Sequence, residues 1–260
     1  MNKTVNIFLV SFYFPEITEK VIRKLRDVTK YPFKLIVGDN KSINSNIIIP
    51  KLKKLTDIGL IDELFIYGEN YVSSIAKHMF YNTERADITI ITDYDSFINN
   101  INKNDCWLTD YVNAFNEDDK VLMIQYHAEN GNLSMGGKSY PKTKNKFCVS
   151  SLQTKNKCQA NSHFMALKSK TLEKYFKTYP NRPTVDGHLI LFIDSLRNMD
   201  GVDYKKLRYD KSSVINLSSK ESFKDKEYYK MRKAMLHGGN FKNKNMLTLY
   251  NVTNYEIYKR

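Results

Sequence analysis

The chain has 260 residues, of which 42% are hydrophobic and 13% aromatic, enough to bury one substantial core and too apolar for a disordered segment. Its formal charge of +13 admits anionic partners. No run approaches the about 18 apolar residues needed to cross a bilayer, so the chain is expected to be soluble, or peripheral at a membrane.

The chain opens with an apolar run from Val5 to Phe14. It mimics a leader peptide, but Asn6 and Ser11 interrupt it and no small-residue cleavage site follows, so it reads as a first strand. After Pro15, Ile17, Val21, Leu25 and Val28 recur at helical spacing. A second buried strand, Phe33 to Gly38, runs into Asp39 and Asn40, and a third, Glu63 to Tyr67, runs into Gly68, Glu69 and Asn70. A helix from about Val72 to Thr83 leads to the run Ile88 to Thr92, which ends in Asp93, Tyr94 and Asp95. Strands alternating with helices imply a mostly parallel sheet with right-handed crossovers.

The Asp-x-Asp at the end of a buried strand is the most informative feature. In open α/β sheets ligands bind at the carboxyl ends of the strands, and acids left there need a cation or a donor. Mg²⁺ or Mn²⁺ is commonly held by one or two protein carboxylates, with waters and phosphate oxygens completing the shell. Along an extended strand Asp93 and Asp95 would face the same way and Tyr94 the other. Two solvated aspartates at a strand-end turn would leave the same sequence.

Asp39-Asn-Lys-Ser42, then Asn70 before a helix, then Ile90-Ile-Thr-Asp-Tyr-Asp95 together resemble the nucleotide-sugar half of GT-A-fold glycosyltransferases, the family 2-like group in particular. The resemblance implies a Rossmann-like α/β sheet flanked by helices. It also implies Asp39 at the nucleobase, Asp93 at the ribose or metal and Asp95 at the metal. Phe12 and Tyr13 would line the nucleotide cleft with Asn70, although plain core packing explains the aromatic segment equally well. The implied donor is a UDP- or GDP-linked sugar, the cofactor Mn²⁺ or Mg²⁺, and the acceptor a glycan or a lipid-linked glycan, with possible peripheral membrane contact.

Further along, Lys120 to Tyr126 reads as a strand, Cys158 to Lys168 resembles the acceptor-side strand of such enzymes, and a helix follows from Ser169 to about Lys177. Arg182-Pro-Thr-Val-Asp-Gly-His188 opens a helix running to about Asn198. The resemblance makes Asp186 the general base of an inverting transfer, although a carboxylate there is also an ordinary N-cap, and the usual acidic doublet is here Val185-Asp186. His163 and His188 would border the acceptor. Where relatives supply a late metal-binding histidine this chain has Asn216, with His237 as the alternative.

The basic charge is segregated. Residues 130–172 hold eight lysines and no acid, and residues 201–260 hold fourteen Lys or Arg against six Asp or Glu, leaving the remainder mildly acidic. Residues 130–157 read as a long flexible loop that closes over substrate, and residues 218–236 as a serine-capped basic helix. The organisation expected is a catalytic domain over 1–200, with a nucleotide-sugar half to about 100 and an acceptor half beyond it, followed by a small basic extension over 201–260 that packs on it. Cys106, Cys148 and Cys158 are odd in number and lack metal-site spacing, which predicts reduced thiols and a cytoplasmic setting. Two other classes stay open. A sugar nucleotidyltransferase would share the metal carboxylates but brings a Gly-rich phosphate loop that Ser11 to Pro15 lacks. A nucleic-acid-binding protein would explain the basic segments but not the strand-end acids, which repel phosphates.

Overall fold

The computed structural model describes residues 3–12, 14–42, 44–71, 74–99, 106–128, 143–153, 164–180, 186–217 and 252–260, and at 99, 127–128, 186–188, 213, 215 and 216 the backbone alone. Strand β1 (Val5–Ser11) is buried on both faces except at Val10, which is why its sequence is a continuous apolar run rather than an alternation. Parallel to it lie β2 (Lys34–Asp39) on one side and β4 (Ile88–Asp93) on the other, and β3 (Glu63–Tyr67) continues the parallel set beside β2. Helix α1 (Pro15–Val28) starts with proline at a position whose N–H needs no partner, and it buries Ile17, Val21, Ile22 and Leu25. Its last turn is pinned by Arg26, which donates to the Leu60 carbonyl at 3.0 Å and to Asp62 at 2.6 Å.

Helix α2 (Ser45–Asp57) was not legible in the sequence, because Ile47-Ile-Ile49 suggests extended chain and Pro50 lies inside the helix. Proline there removes one intrahelical bond, a loss of about 3 kcal/mol or more in a helix interior. Burial of Ile48, Leu52 and Leu55 against the sheet offsets it, since a fully buried aliphatic side chain contributes about 1.5–3 kcal/mol. Helix α3 (Ser74–Asn82) crosses β2 at Gly38, where a Cβ would lie 2.9 Å from the Met79 sulfur.

Past β4 the chain turns at once into β5 (Ser96–Asn99), then forms α4 (Trp107–Glu117), β6 (Val121–Ala128), β7 (Phe147–Ser150), β8 (Phe164–Lys168), α5 (Ser169–Thr178), α6 (Asp186–Asp200), β9 (Lys205–Asn216) and β10 (Tyr255–Lys259). Among the described residues these strands form one ten-stranded sheet in the order β10-β3-β2-β1-β4-β8-β6-β9-β5, with β7 also paired to β9. Antiparallel β8, inserted between β4 and β6, separates the parallel half from an antiparallel-rich half. Helices α1, α2 and α4 cover one face, and α3, α5 and α6 the other. This is the expected α/β architecture, with more antiparallel pairing than the crossover pattern implied.

Residues 205–216, assigned in the sequence to an extension beyond residue 200, form a strand inside the sheet between β6 and β5. β7 likewise lies within the stretch read as a loop over 130–157, most of which is outside the described residues, as is the helix expected over 218–236. Cys106 is free, but Cys148 is disulfide-bonded, with its partner outside the described residues. The expectation of three reduced thiols is therefore corrected, and the thiol argument for a cytoplasmic setting falls with it. Among the described residues no helix is long and apolar enough to cross a membrane.

Candidate functional site

Parallel pairing aligns the strand ends. Ser11 of β1 stands opposite Asp39 of β2, and Val10 stands opposite Asp93 of β4, so the polar residues that close each apolar run gather along one carboxyl edge. This is the edge at which α/β sheets bind ligands.

At the end of β4 the geometry departs from an extended Asp-x-Asp. The strand stops at Asp93, Tyr94 and Asp95 form a turn, and Ser96 begins the antiparallel ladder with β9. The Tyr94 N–H donates to the Val10 carbonyl at 2.9 Å, and the Leu217 N–H donates to the Asp95 carbonyl at 2.9 Å. Asp93 is half-buried, whereas Tyr94 and Asp95 are 7% and 5% exposed. The two acids therefore do not share the face of one strand, as alternation along the sequence implied. They flank a turn held from below by β1 and from the side by the end of β9. The same ladder sets Asn216 opposite Ser96, bringing the late segment to the acidic turn.

Asp39 is fully buried. Its carboxylate accepts the Ser42 hydroxyl at 2.6 Å, the Ser42 N–H at 3.3 Å and the Ser11 hydroxyl at 3.5 Å. Burial pushes its pKa up, and the Ser42 and Ser11 bonds only partly oppose that. Between Asp39 and Ser42 the chain passes through Lys41 at φ 51°, a left-handed conformation uncommon for a residue with a Cβ. Asn40, 6% exposed, accepts the Tyr71 N–H at 2.9 Å and so joins the loop after β2 to the loop after β3 that carries Asn70. Asn70 itself is half-buried. Phe12 is half-buried against the core beneath α1, its carbonyl accepting the Phe14 N–H at 3.0 Å, and the Phe14 ring lies 6.2 Å from Tyr94.

Ser11 and Tyr71 were missed in the sequence, and Asn40 and Ser42 entered it only as members of the Asp39–Ser42 motif, with no role of their own. The Asp-Asn-x-Ser signature of a side-chain-capped turn could have flagged Ser42, but nothing local announces that Asn40 reaches Tyr71. Of the other expected site residues, Tyr13, His163 and His237 lie outside the described residues. Asp186 and His188 fall in the first turn of α6, where the backbone alone is described.

Among the described residues no group of three or more His, Cys, Asp or Glu could hold a metal ion. The acidic turn nevertheless fits a hard divalent ion. Asp93 and Asp95 are oxygen donors one residue apart, a set that suits Mg²⁺ or Mn²⁺ whose remaining positions go to water and phosphate.

A parallel β3-β2-β1-β4 set ending in these acids, continued by antiparallel β8 and then β6, is the GT-A fold of nucleotide-sugar glycosyltransferases. S. aureus TarS superimposes with a TM-score of 0.55 at 14% identity, over 85% of this chain and 38% of that one. TarS 1–349 in complex with UDP-GlcNAc gives 0.52 at 14% identity, over 82% and 58%. GalNAc-T7 with UDP, GalNAc and Mn²⁺ gives 0.57 at 12% identity, over 82% and 44%. The likeness is one of fold, and the chain spans less than two thirds of each of these structures. No family model and no curated protein matches the chain.

Proposed function

We propose that this protein transfers a sugar from a UDP- or GDP-linked donor to a glycan or lipid-linked acceptor with the aid of Mn²⁺ or Mg²⁺. The observation that carries the reading is the acidic turn Asp93-Tyr94-Asp95 at the carboxyl end of β4, bordered by the ends of β1 and β9, in a fold shared with structures that hold UDP, UDP-GlcNAc and Mn²⁺.

Asp93 binds the donor ribose or the metal, and Asp95 the metal, with Asn216, whose backbone stands opposite Ser96, a candidate third donor. His237 is the alternative. An ion held by these carboxylates would supply positive charge to offset that of the departing diphosphate, a contribution of several kcal/mol to the transition state. Asp39 reads the base once Ser42 yields one carboxylate oxygen, and Phe12, Tyr13 and Asn70 line the nucleoside.

Asp186 opens α6, whose far end is tied to the amino edge of the sheet by Arg197, bonded to the Tyr204 and Ser150 carbonyls. Asp186, in the first turn of this helix, takes the acceptor hydroxyl proton in an inverting transfer, a role for which about 10²- to 10⁴-fold is typical. His163 and His188 border the acceptor, and the basic segments favour an anionic one, including a lipid phosphate at a membrane surface. The carboxylates at 39, 93 and 95 disfavour a nucleic-acid ligand at this edge.

Thermal unfolding with UDP, GDP and their sugar conjugates, with and without Mn²⁺, tests the donor class, since ligands that bind the folded state raise its apparent stability. A metal-dependent shift with one diphosphate, lost in Asp95→Ala, is expected. No shift with any of them, from folded protein, would overturn the proposal.

A further inference from the structure

The loop Gly68–Tyr71, which leads from β3 toward α3, is fastened at one end by the Asn40 side chain and at the other by the backbone of Asn254, both from distant parts of the chain. At its end, the Tyr71 N–H donates to Asn40 Oδ1 at 2.9 Å. At its start, the Gly68 N–H donates to the Asn254 carbonyl at 2.9 Å, and the Asn254 N–H donates to the Tyr71 hydroxyl at 3.3 Å. The fit at Gly68 is close: a Cβ there would lie 2.3–2.5 Å from the Asn254 side-chain amide, which would have to turn aside. Tyr71 and Asn40 are 2% and 6% exposed, where a hydrogen bond is not readily exchanged for water. Between the fastened ends, Glu69 and Asn70 remain partly exposed.

We infer that the side chains of Asn40 and Tyr71 are positioning groups for nucleotide binding, acting through the loop that presents Asn70 and tying it to the backbone of the segment before β10. The inference rests on the donor reading above and deepens it: the segment leading into β10 becomes part of what shapes the nucleoside end of the site. The energetic argument is one of pre-organisation. A loop held in its binding geometry before the ligand arrives does not have to be ordered by it, and the affinity retained is the ordering cost avoided.

The test uses the full chain with Asn40→Ala, which removes the acceptor of the Tyr71 N–H, and Tyr71→Phe, which removes only the hydroxyl that receives the Asn254 N–H. Three quantities are read: amide exchange at Tyr71 and Asn254, the Kd for UDP and for GDP with Mn²⁺, and donor KM against kcat in donor hydrolysis. Exchange should quicken by about tenfold at Tyr71 in Asn40→Ala and at Asn254 in Tyr71→Phe, and the nucleotide that wild type binds should weaken by about tenfold in each. The loss should fall on KM, with kcat held within about twofold. Faster exchange with unchanged Kd would overturn the inference while leaving the donor reading intact. Failure of the wild-type chain to bind either nucleotide would overturn the donor reading and the inference with it.

Discussion

Two carboxylates are almost equally hidden from water, and their surroundings treat them oppositely. Asp210 in the antiparallel-rich half receives the fork of Arg208 at 2.7 and 3.0 Å and the N–H and hydroxyl of Thr143, both at 2.8 Å. Burial pushes its pKa up, yet Arg208 and Thr143 outweigh burial and hold it below the usual range. Among the described residues Asp39 in the parallel half receives neutral donors alone, Ser42 and Ser11, and there burial prevails and its pKa is raised. A buried charge matched by a fork is a structural fixture. One at the carboxyl edge with neutral donors alone is better stabilised when a ligand brings another donor, which is what a nucleobase N–H would do.

Removing the fork sharpens the contrast most. Arg208→Ala strands the Asp210 carboxylate without its cation, and urea unfolding should show a loss of about 3–5 kcal/mol. Replacing both residues with apolar ones of similar size should cost much less, and an equal cost would mean that the Thr143 bonds, not the ion pair, dominate. Asp39→Asn should be neutral or modestly stabilising in the same experiment at pH 7, because it removes a charge that burial disfavours. It should also weaken binding of the preferred nucleotide by about tenfold.

The pH dependences have opposite signs. Asp39, with its folded pKa raised, adds stability as pH falls through that value toward its unfolded value of 3.8. Asp210, with its folded pKa lowered, contributes stability above 3.8 that is lost as pH falls through its folded value. The smallest effect belongs to His78, whose ring lies 4.3 Å from Tyr255 and whose Nδ1 meets the Tyr67 hydroxyl at 3.1 Å. Burial lowers its pKa from 6.5, so the unfolded chain takes up the proton first and stability falls as pH drops below about 6.5. Denaturant titrations at pH 7.5 and 5.5 should show this slope, and His78→Phe should remove its share.

Much of the parallel half was legible because its strands are buried on both faces and read as apolar runs closed by polar residues, as in Val5–Ser11 and Ile88–Asp93. The acidic turn was legible as chemistry but not as geometry: whether Asp95 continues β4 or turns into β5 is decided by β9, more than a hundred residues later, whose Asn216 stands opposite Ser96. Helix α2 was hidden by Pro50, which local propensity counts against a helix and which tertiary burial overrides. Arg208 and Asp210 sit two apart on β9, a spacing that puts both on one face of a strand. The β6–β9 pairing, however, slips in register between Tyr126 and His127, which no periodicity in either segment discloses. Asn40 meeting Tyr71 is a long-range contact with no local trace.

The pairing of β10 with β3 also bears on how the chain reaches this state. The hydroxyl of Tyr258 donates to Asp57 across 201 positions of sequence, and Lys53 reaches Glu256 across 203. Such contacts require closure of a very long loop before they return any stabilisation, so they are expected to form late. Until they do, β3 presents an open row of backbone donors and acceptors, an edge prone to pairing with another chain. A ribosome-bound or truncated form lacking residues 252–260 should therefore be the aggregation-prone species, with β10 serving as the guard on the margin of β3.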